Sequence, residues 1–342
     1  MNPSLQQPAQ IKPKRDLSFD YLRAFATIMI VVCHMSLGFG ISHEIGRYLG
    51  GTFVDVFLLL SAYLLGLYGK EKIANAPWQF LKKRAFRIIP TYYSYLTITF
   101  IVIVVMLGTN ALTRQQVIGH YTFMNWFLGS TRISTPNLGH LWFMSCILLG
   151  YLSVTLWARL TTYISNKTHH NLNWAIFFII SGIVSTLLTM RFKIAIYPCT
   201  GTMFFIFMFF KGESLINAVK TWPNWVIVSL LCVGNVGGVI YYLSGGYEYS
   251  IPVLWINLIN AFLWIASAPI IFCRHVAKRV VLFLSTISFE IYLVHHPFCL
   301  GKYALANYMP TWIASIAVFA ISIILGYILS VITEAIVRIF KR

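Results

Sequence analysis

The sequence predicts an all-α polytopic membrane protein with about ten transmembrane helices and both termini in the cytoplasm. Of its 342 residues, 58% are hydrophobic and only 10% are charged, whereas about a quarter of an average soluble domain is charged. The apolar stretches are long and continuous, as helical spans of roughly 20 residues require. They do not alternate at every second residue, so we do not expect a closed β-barrel.

The orientation follows from the distribution of lysine and arginine. With the N-terminus inside, the cytoplasmic segments hold 19 of the 26 basic residues and the opposite face holds six, with Arg23 inside a span. Basic residues collect in cytoplasmic loops of membrane proteins. This asymmetry also accounts for most of the net charge of +17, so we expect no nucleic-acid partner.

Along the chain, residues 1–16 are polar and are expected to form a cytoplasmic tail. Residues 17–342 are expected to form a single membrane-embedded domain, with no appended soluble hydrolase-like domain. Residues 110–138 are rich in aromatic side chains and are expected to lie partly at the membrane interface. The predicted helices lie near 18–41, 50–69, 90–108, 139–161, 172–190, 194–210, 224–243, 251–273, 280–300 and 311–336.

The first predicted helix carries three ionisable residues, Asp20, Arg23 and His34. A charged side chain near the bilayer centre costs about 2.5–3.5 kcal/mol. Arg23 and His34 are eleven positions apart, which places them within roughly 20° of one face and about 16 Å apart along the axis. Asp20 and Arg23 alone are compatible with a pair at the membrane edge, and His34 alone with a hydrogen-bonded core histidine. Because all three share one face, we interpret them as a polar site.

Five sequence blocks, in order along the chain, resemble the integral membrane acyltransferase-3 family. Arg23 and His34 match its R-x10-H signature, and Asp20 belongs to the D-x-L-R that precedes it. The other blocks are "GTFVDVFLLLSAYLLG" (51–66), "LKKRAFRIIPTYY" (81–93), "GHLWFMSCILLGYL" (139–152) and "ISFEIYLVHHP" (287–297).

The resemblance implies the transfer of an acyl group, usually acetyl from acetyl-CoA, to a hydroxyl group of a carbohydrate. We expect the acceptor to be a cell-envelope polysaccharide or its lipid-linked precursor, and the location to be the bacterial inner membrane. A hydroxyl group needs a base that removes its proton, and histidine has a suitable pKa. His34 is therefore the predicted base. An acyl-histidine intermediate, formed by attack of His34 on the thioester, is the alternative route.

A carboxylate or carbonyl group is expected to orient His34. Asp20 lies about 21 Å away along the helix, too far for contact. Glu290, in the predicted ninth helix, is the preferred carboxylate, and it is expected to border the same cavity as His295. The alternative is that Glu290 forms a structural pair with Arg23 or a tyrosine hydroxyl.

The donor thioester is expected to enter from the cytosol, where a basic segment follows the second predicted helix. In this segment Arg87 is four residues after Lys83 and three after Arg84, so the three side chains share a face in a helical turn. Such a face can bind the phosphates of CoA, with Arg23 guiding the donor towards His34. The alternative is that these residues only reflect membrane topology. No cysteine pair has metal-ligand spacing, so we expect no metal site and no permanently bound cofactor.

The residues expected on the acceptor side are His140, Trp142, His295, Asp55 and Ser61. For Trp142, anchoring at the membrane interface is the alternative role, and Asp55 is either a polar lining residue or a cap near the outer surface. Membrane lipid surrounds the domain.

Two other functions are compatible with these residues. The first is a proton-coupled transporter, which also uses ionisable residues inside the membrane. The basic segment is unnecessary for transport, and no repeat relates the two halves. The second is an acyltransferase that acts on a small secondary metabolite.

Overall fold

The computed structural model describes residues 15–124, 138–164, 196–245 and 251–340, and these residues form helices and no strand. The helices are α1 (Ser18–Gly38), α2 (His43–Asn75), α3 (Pro77–Leu107), α4 (Arg114–Tyr121), α5 (Trp142–Ile164), α6 (Ile196–Val219), α7 (Asn224–Leu243), α8 (Ile251–Ile271), α9 (Lys278–Thr286), α10 (Ser288–Val294), α11 (His296–Cys299) and α12 (Thr311–Phe340).

Within the described ranges, eight helices are long and apolar enough to cross a membrane. They are α1, α2, α3, α5, α6, α7, α8 and α12. The helix predicted at 172–190 lies outside the described residues, so the predicted number of ten stays a prediction. The polytopic, all-helical class is confirmed.

The helix α2 lies at the centre of the bundle, where it packs against α1, α5, α6 and α8. It begins after Ser42, whose hydroxyl accepts a hydrogen bond from the backbone N–H of Ile45, a usual N-cap contact. Gly66 lies directly against the backbone of Phe209 in α6, where an added side chain would have no room. The helix α2 also contacts α3.

The helix α3 begins 13 residues before the predicted boundary at 90. Only Ala76 separates it from α2, and Pro77 occupies its first turn. Proline suits that position because the missing N–H would have no helical partner there. As a result, the basic residues Lys83, Arg84 and Arg87 lie on a helix and not in a loop.

The helix predicted over 280–300 is wrong as one continuous element, because the structure divides this segment into α9, α10 and α11. The first break is at Ile287, whose backbone leaves the helical region with φ −97° and ψ 15°. The second follows Val294, where Pro297 comes three residues later. Proline lacks an N–H and cannot bond to the carbonyl of residue 293. The turn at His295 and His296 therefore becomes a helix junction.

Candidate functional site

The Nδ1 atom of His34 has two partners within hydrogen-bond distance. This atom lies 3.1 Å from the carbonyl oxygen of Ile30, one turn earlier in α1, and 2.9 Å from Nε2 of His295. His295 is fully buried, and its own Nδ1 lies 3.0 Å from the carbonyl oxygen of Ile291. The sequence predicted His295 on the acceptor side, and the structure brings its ring into contact with that of His34.

Two further histidines complete the cluster around His34, and both are buried. The ring centre of His296 lies 4.6 Å from that of His34, and the ring of His140 lies 6.4 Å away. His140 and His296 stack at 4.3 Å with an interplanar angle of 17°. We call His34, His140, His295 and His296 the histidine cluster.

The position of His140 depends on the helix junction after α10. Its Nε2 lies 3.1 Å from the carbonyl oxygen of Leu293, the carbonyl that Pro297 leaves without a helical donor. The Tyr292 hydroxyl donates a hydrogen bond to the backbone carbonyl of His140. His140 thus replaces the missing main-chain donor, and this contact ties the start of α5 to α10.

Sequence reasoning missed His296 as a member of the cluster. On a continuous helix, successive side chains point about 100° apart, so His295 and His296 would face different neighbours. The available signal was the proline that follows the pair, because it interrupts the helix at this point.

A cavity of about 840 Å³ opens at one end of the bundle. Four basic side chains line one end, Lys72, Lys83, Arg84 and Arg87, and because all of them but Arg84 are exposed we infer that the mouth lies here. We call this the basic end. The lining continues along α2 from Lys72 to Val54, a distance of about 27 Å at the rise of an α-helix. Most of the side chains between the mouth and the far end are apolar or aromatic.

The far end of the cavity reaches the residues that hold the histidine cluster. It is lined there by Ile30, Val54, Phe143 and Tyr292. Ile30 supplies a carbonyl to His34, and Tyr292 donates to His140. His34 is not among the residues that line the cavity, but it is only partly buried and lies one helical turn beyond Ile30.

Arg23 lines the cavity and is fixed by Asp20. The Nη1 atom of Arg23 lies 3.3 Å from Oδ1 of Asp20 and 3.4 Å from the hydroxyl of Ser285. The other carboxylate oxygen of Asp20 accepts hydrogen bonds from Arg15 at 2.8 and 3.0 Å. Asp20 therefore orients Arg23 and lies away from His34.

Arg84 is placed by aromatic rings. Its guanidinium carbon lies 5.4 Å from the ring centre of Phe80 and 5.5 Å from that of Tyr151, within the range of a cation–π interaction. Arg84 and Tyr151 line the cavity and also an apolar groove of about 600 Å³, so they form a wall between the two. Lys82 lines the groove as well. Arg84 is thus held at the boundary between the cavity and this groove.

Glu290, the carboxylate expected to orient His34, lies outside the cavity lining. Ser288, Phe289 and Tyr292 line the cavity from α10, whereas Glu290 is not among the lining residues. Glu290 is partly buried, and its Oε2 atom has no hydrogen-bond partner among the described residues. No hydrogen bond joins Glu290 to His34 in the described residues.

Asp55 and Ser61 both lie on α2. Asp55 is buried, and its Oδ2 has no hydrogen-bond partner among the described residues. Ser61 lines the cavity, which places it on the path from the basic end. Trp142 starts α5 half-buried, with its ring against that of Phe143.

In the described part of the chain, no group of three or more histidine, cysteine, aspartate or glutamate side chains is arranged to hold a metal ion. The contacts of the histidine cluster are instead to backbone carbonyls and to one another. This arrangement suits proton transfer.

A family model described as "Acyltransferase domain", that of the acyltransferase-3 family, matches residues 16–334. The match covers the described histidine cluster, the cavity and the basic end. Comparison with curated proteins gives no match, and comparison with solved structures gives none.

Proposed function

Because the chain belongs to the acyltransferase-3 family and is a membrane acyltransferase, we propose that it moves acetyl from acetyl-CoA to a sugar hydroxyl of a cell-envelope polysaccharide or of its lipid-linked precursor. The observation that carries this proposal is the cavity that joins the basic end to the surroundings of His34. A thioester with a charged head and a long, thin arm fits such a cavity.

The basic end supplies the charge that CoA requires. CoA carries phosphate groups, and Lys72, Lys83, Arg84 and Arg87 line the mouth. Arginine binds phosphate through two parallel hydrogen bonds, and lysine binds it as a point charge. With the basic end in the cytoplasm, as the distribution of basic residues predicts, the donor enters from the side where acyl-CoA is made.

The arm of CoA then lies along the apolar wall of α2. The length of about 27 Å between Lys72 and Val54 allows an extended arm to bring its thioester towards Ile30 and Tyr292. Arg23 lines the same path, where Asp20 fixes its guanidinium group. The proposed binding mode therefore places the phosphates of the donor at the mouth and its thioester at the far end.

His34 performs the chemistry in this proposal. In the direct route it accepts the proton of the acceptor hydroxyl while the oxygen attacks the thioester carbonyl, and it returns the proton to the CoA thiolate. In the other route His34 attacks the thioester first and an acyl-histidine transfers the group. The acceptor approaches from the membrane or from the outer face of a bacterial inner membrane.

The first experiment measures acetyl-CoA consumption by the purified protein in detergent, where no gradient exists. We expect release of free CoA that depends on an added sugar acceptor, and its loss in His34→Asn, which keeps a side-chain N–H but has no basic nitrogen. His43→Gln is the control, because His43 is exposed at the start of α2. Absence of CoA release from the wild-type protein across a panel of sugar acceptors contradicts the proposal and favours transport.

The second experiment compares the envelope polysaccharides of cells that produce wild-type protein or His34→Asn. We expect the sugar residues to lose the mass of one acetyl group in the variant, at equal protein levels. Unchanged acetylation in the variant excludes His34 as the base.

A further inference from the structure

We propose that His295 is a positioning residue that fixes the tautomer of His34, so that Nε2 of His34 is the reactive nitrogen. This inference rests on the proposed acyl transfer, and it names a further residue for that reaction. Its basis is the line of contacts from the Ile291 carbonyl through His295 to His34.

The line has two possible proton arrangements, and only one is consistent with both carbonyl groups. A carbonyl oxygen is an acceptor only. The oxygen of Ile291 lies 3.0 Å from Nδ1 of His295, so this nitrogen must carry the proton. In a neutral imidazole the other nitrogen is then an acceptor, which makes Nε2 of His295 an acceptor directed at His34.

The same reasoning applies to His34. Its Nδ1 lies 2.9 Å from the acceptor Nε2 of His295 and 3.1 Å from the carbonyl oxygen of Ile30. A protonated Nδ1 donates to both, as a shared hydrogen bond. If Nδ1 of His34 were unprotonated, its lone pair would face the carbonyl oxygen of Ile30, and the two would repel each other. If Nδ1 of His295 were unprotonated, it would repel the carbonyl oxygen of Ile291 in the same way.

The consequence is that Nε2 of His34 carries a lone pair. In the reaction this lone pair takes the proton of the acceptor hydroxyl as its O–H bond breaks and the C–O bond forms. The C–S bond then breaks, its electron pair goes to sulfur, and the proton passes from Nε2 to the thiolate. Positive charge develops on His34 during attack, and the hydrogen bond from Nδ1 to His295 stabilises that cation.

The other histidines do not replace His295 in this role. Nε2 of His140 is engaged with Leu293, and its ring centre lies 6.4 Å from His34. His296 meets the His34 ring at an angle of 69° and stacks on His140. Among the described residues, His295 is the histidine whose nitrogen lies within hydrogen-bond distance of Nδ1 of His34.

The first test uses two variants of His295. A glutamine reaches the position of Nε2 and offers a carbonyl oxygen as acceptor, whereas a leucine offers none. We expect His295→Leu to lower kcat by roughly 100-fold or more, the usual contribution of a positioned acid–base group, with an unchanged KM for acetyl-CoA. We expect His295→Gln to recover most of that loss. Equal activity of the two variants overturns the proposal.

The second test reads the tautomer directly and does not depend on turnover. Nitrogen-15 NMR of the wild-type protein in lipid, with labelled histidine and assignment by His34→Asn, distinguishes a protonated from an unprotonated ring nitrogen. We expect protonated Nδ1 and unprotonated Nε2 in His34. The reverse pattern overturns the role of His295, even if acyl transfer is observed. Conversely, wild-type protein without acyl transfer but with the expected tautomer contradicts only the proposed function.

Discussion

His140 donates its Nε2–H to the carbonyl group of Leu293, the carbonyl that Pro297 leaves without a main-chain partner. A carbonyl group at the break in one helix thereby gains a hydrogen-bond donor from a side chain of another segment. The contact holds the His140 ring against His296 and close to His34. The break in the helix is therefore part of the site.

The role of this break predicts the effect of Pro297→Ala. Alanine restores an N–H that can bond to the Leu293 carbonyl, so the helix gains a hydrogen bond and His140 loses its partner. We expect acyl transfer to fall roughly tenfold, the equivalent of one hydrogen bond, while the unfolding temperature in detergent stays equal or rises. Pro310→Ala, just before α12, is the control and should change neither quantity. Full activity of Pro297→Ala would contradict this account of His140.

The register between α1 and α11 predicts a large effect of Gly38→Ala. A Cβ atom on Gly38 would collide with the backbone carbonyl of Cys299, and backbone atoms cannot move aside as a side chain can. We expect a loss of about 1–3 kcal/mol in stability from overpacking, together with lower activity, because α1 carries His34 and the 288–299 segment carries His295.

The matched variant for Gly38 is Gly237→Ala in α7. No atom lies within 4 Å of a Cβ added at Gly237, so the better helix propensity of alanine should stabilise the protein by up to about 1 kcal/mol. Thermal unfolding of the two variants in the same detergent compares them. Equal stability of both would mean that the contact with Cys299 does not set the register.

The position of Arg84, between the cavity and the apolar groove, predicts the effect of Arg84→Ala on donor binding. Arg84 lines the cavity mouth and is held by Phe80 and Tyr151. Loss of one charge-assisted contact to a phosphate should raise the KM for acetyl-CoA by about 10- to 100-fold, with a smaller change in kcat.

Lys82→Ala is the control for Arg84. Lys82 is the neighbour of Lys83 on α3, but it lines the groove and not the cavity. A merely topological role for the basic residues would make the two variants similar in steady-state kinetics. A binding role would affect Arg84→Ala alone.

The ion pairs of Asp20 predict a difference between two variants near the start of α1. Asp20 is buried between Arg15 and Arg23, whereas the side chain of Arg15 is 71% exposed. We expect Asp20→Asn to destabilise the protein by about 1–3 kcal/mol, because hydrogen bonds between charged groups are lost. Arg15→Ala should cost only about 0–1 kcal/mol, as exposed ion pairs do. Thermal unfolding in detergent gives both values, and an equal loss would mean that Asp20 does not orient Arg23.

The sequence predicted the site correctly where the residues concerned lie on one helix. Asp20 and Arg23 lie one turn apart, and the structure has them in contact. The spacing of Lys83, Arg84 and Arg87 predicted a shared face, and all three line the cavity mouth. The boundary of α3 was misplaced, because a single residue between two helices leaves no loop signal in the composition.

Contacts between distant segments were harder to predict. Glu290 was the carboxylate expected to orient His34, yet the nitrogen that contacts His34 belongs to His295. His140 was expected on the acceptor side because of the family resemblance, and the structure adds its contact with Leu293. Neither contact has a signature in local spacing.

The sequence alone determined the membrane class, the shared face of Asp20, Arg23 and His34 on α1, and the basic face of α3. Apolar length and helical periodicity act over a few neighbouring residues, so these features need no contact between distant segments. The tertiary structure decided which histidine meets His34 and where the cavity ends. Those features depend on how a broken helix packs against α1 and α5, across more than 250 residues in the case of His34 and His295. Side chains so far apart in sequence become neighbours only when the whole bundle assembles.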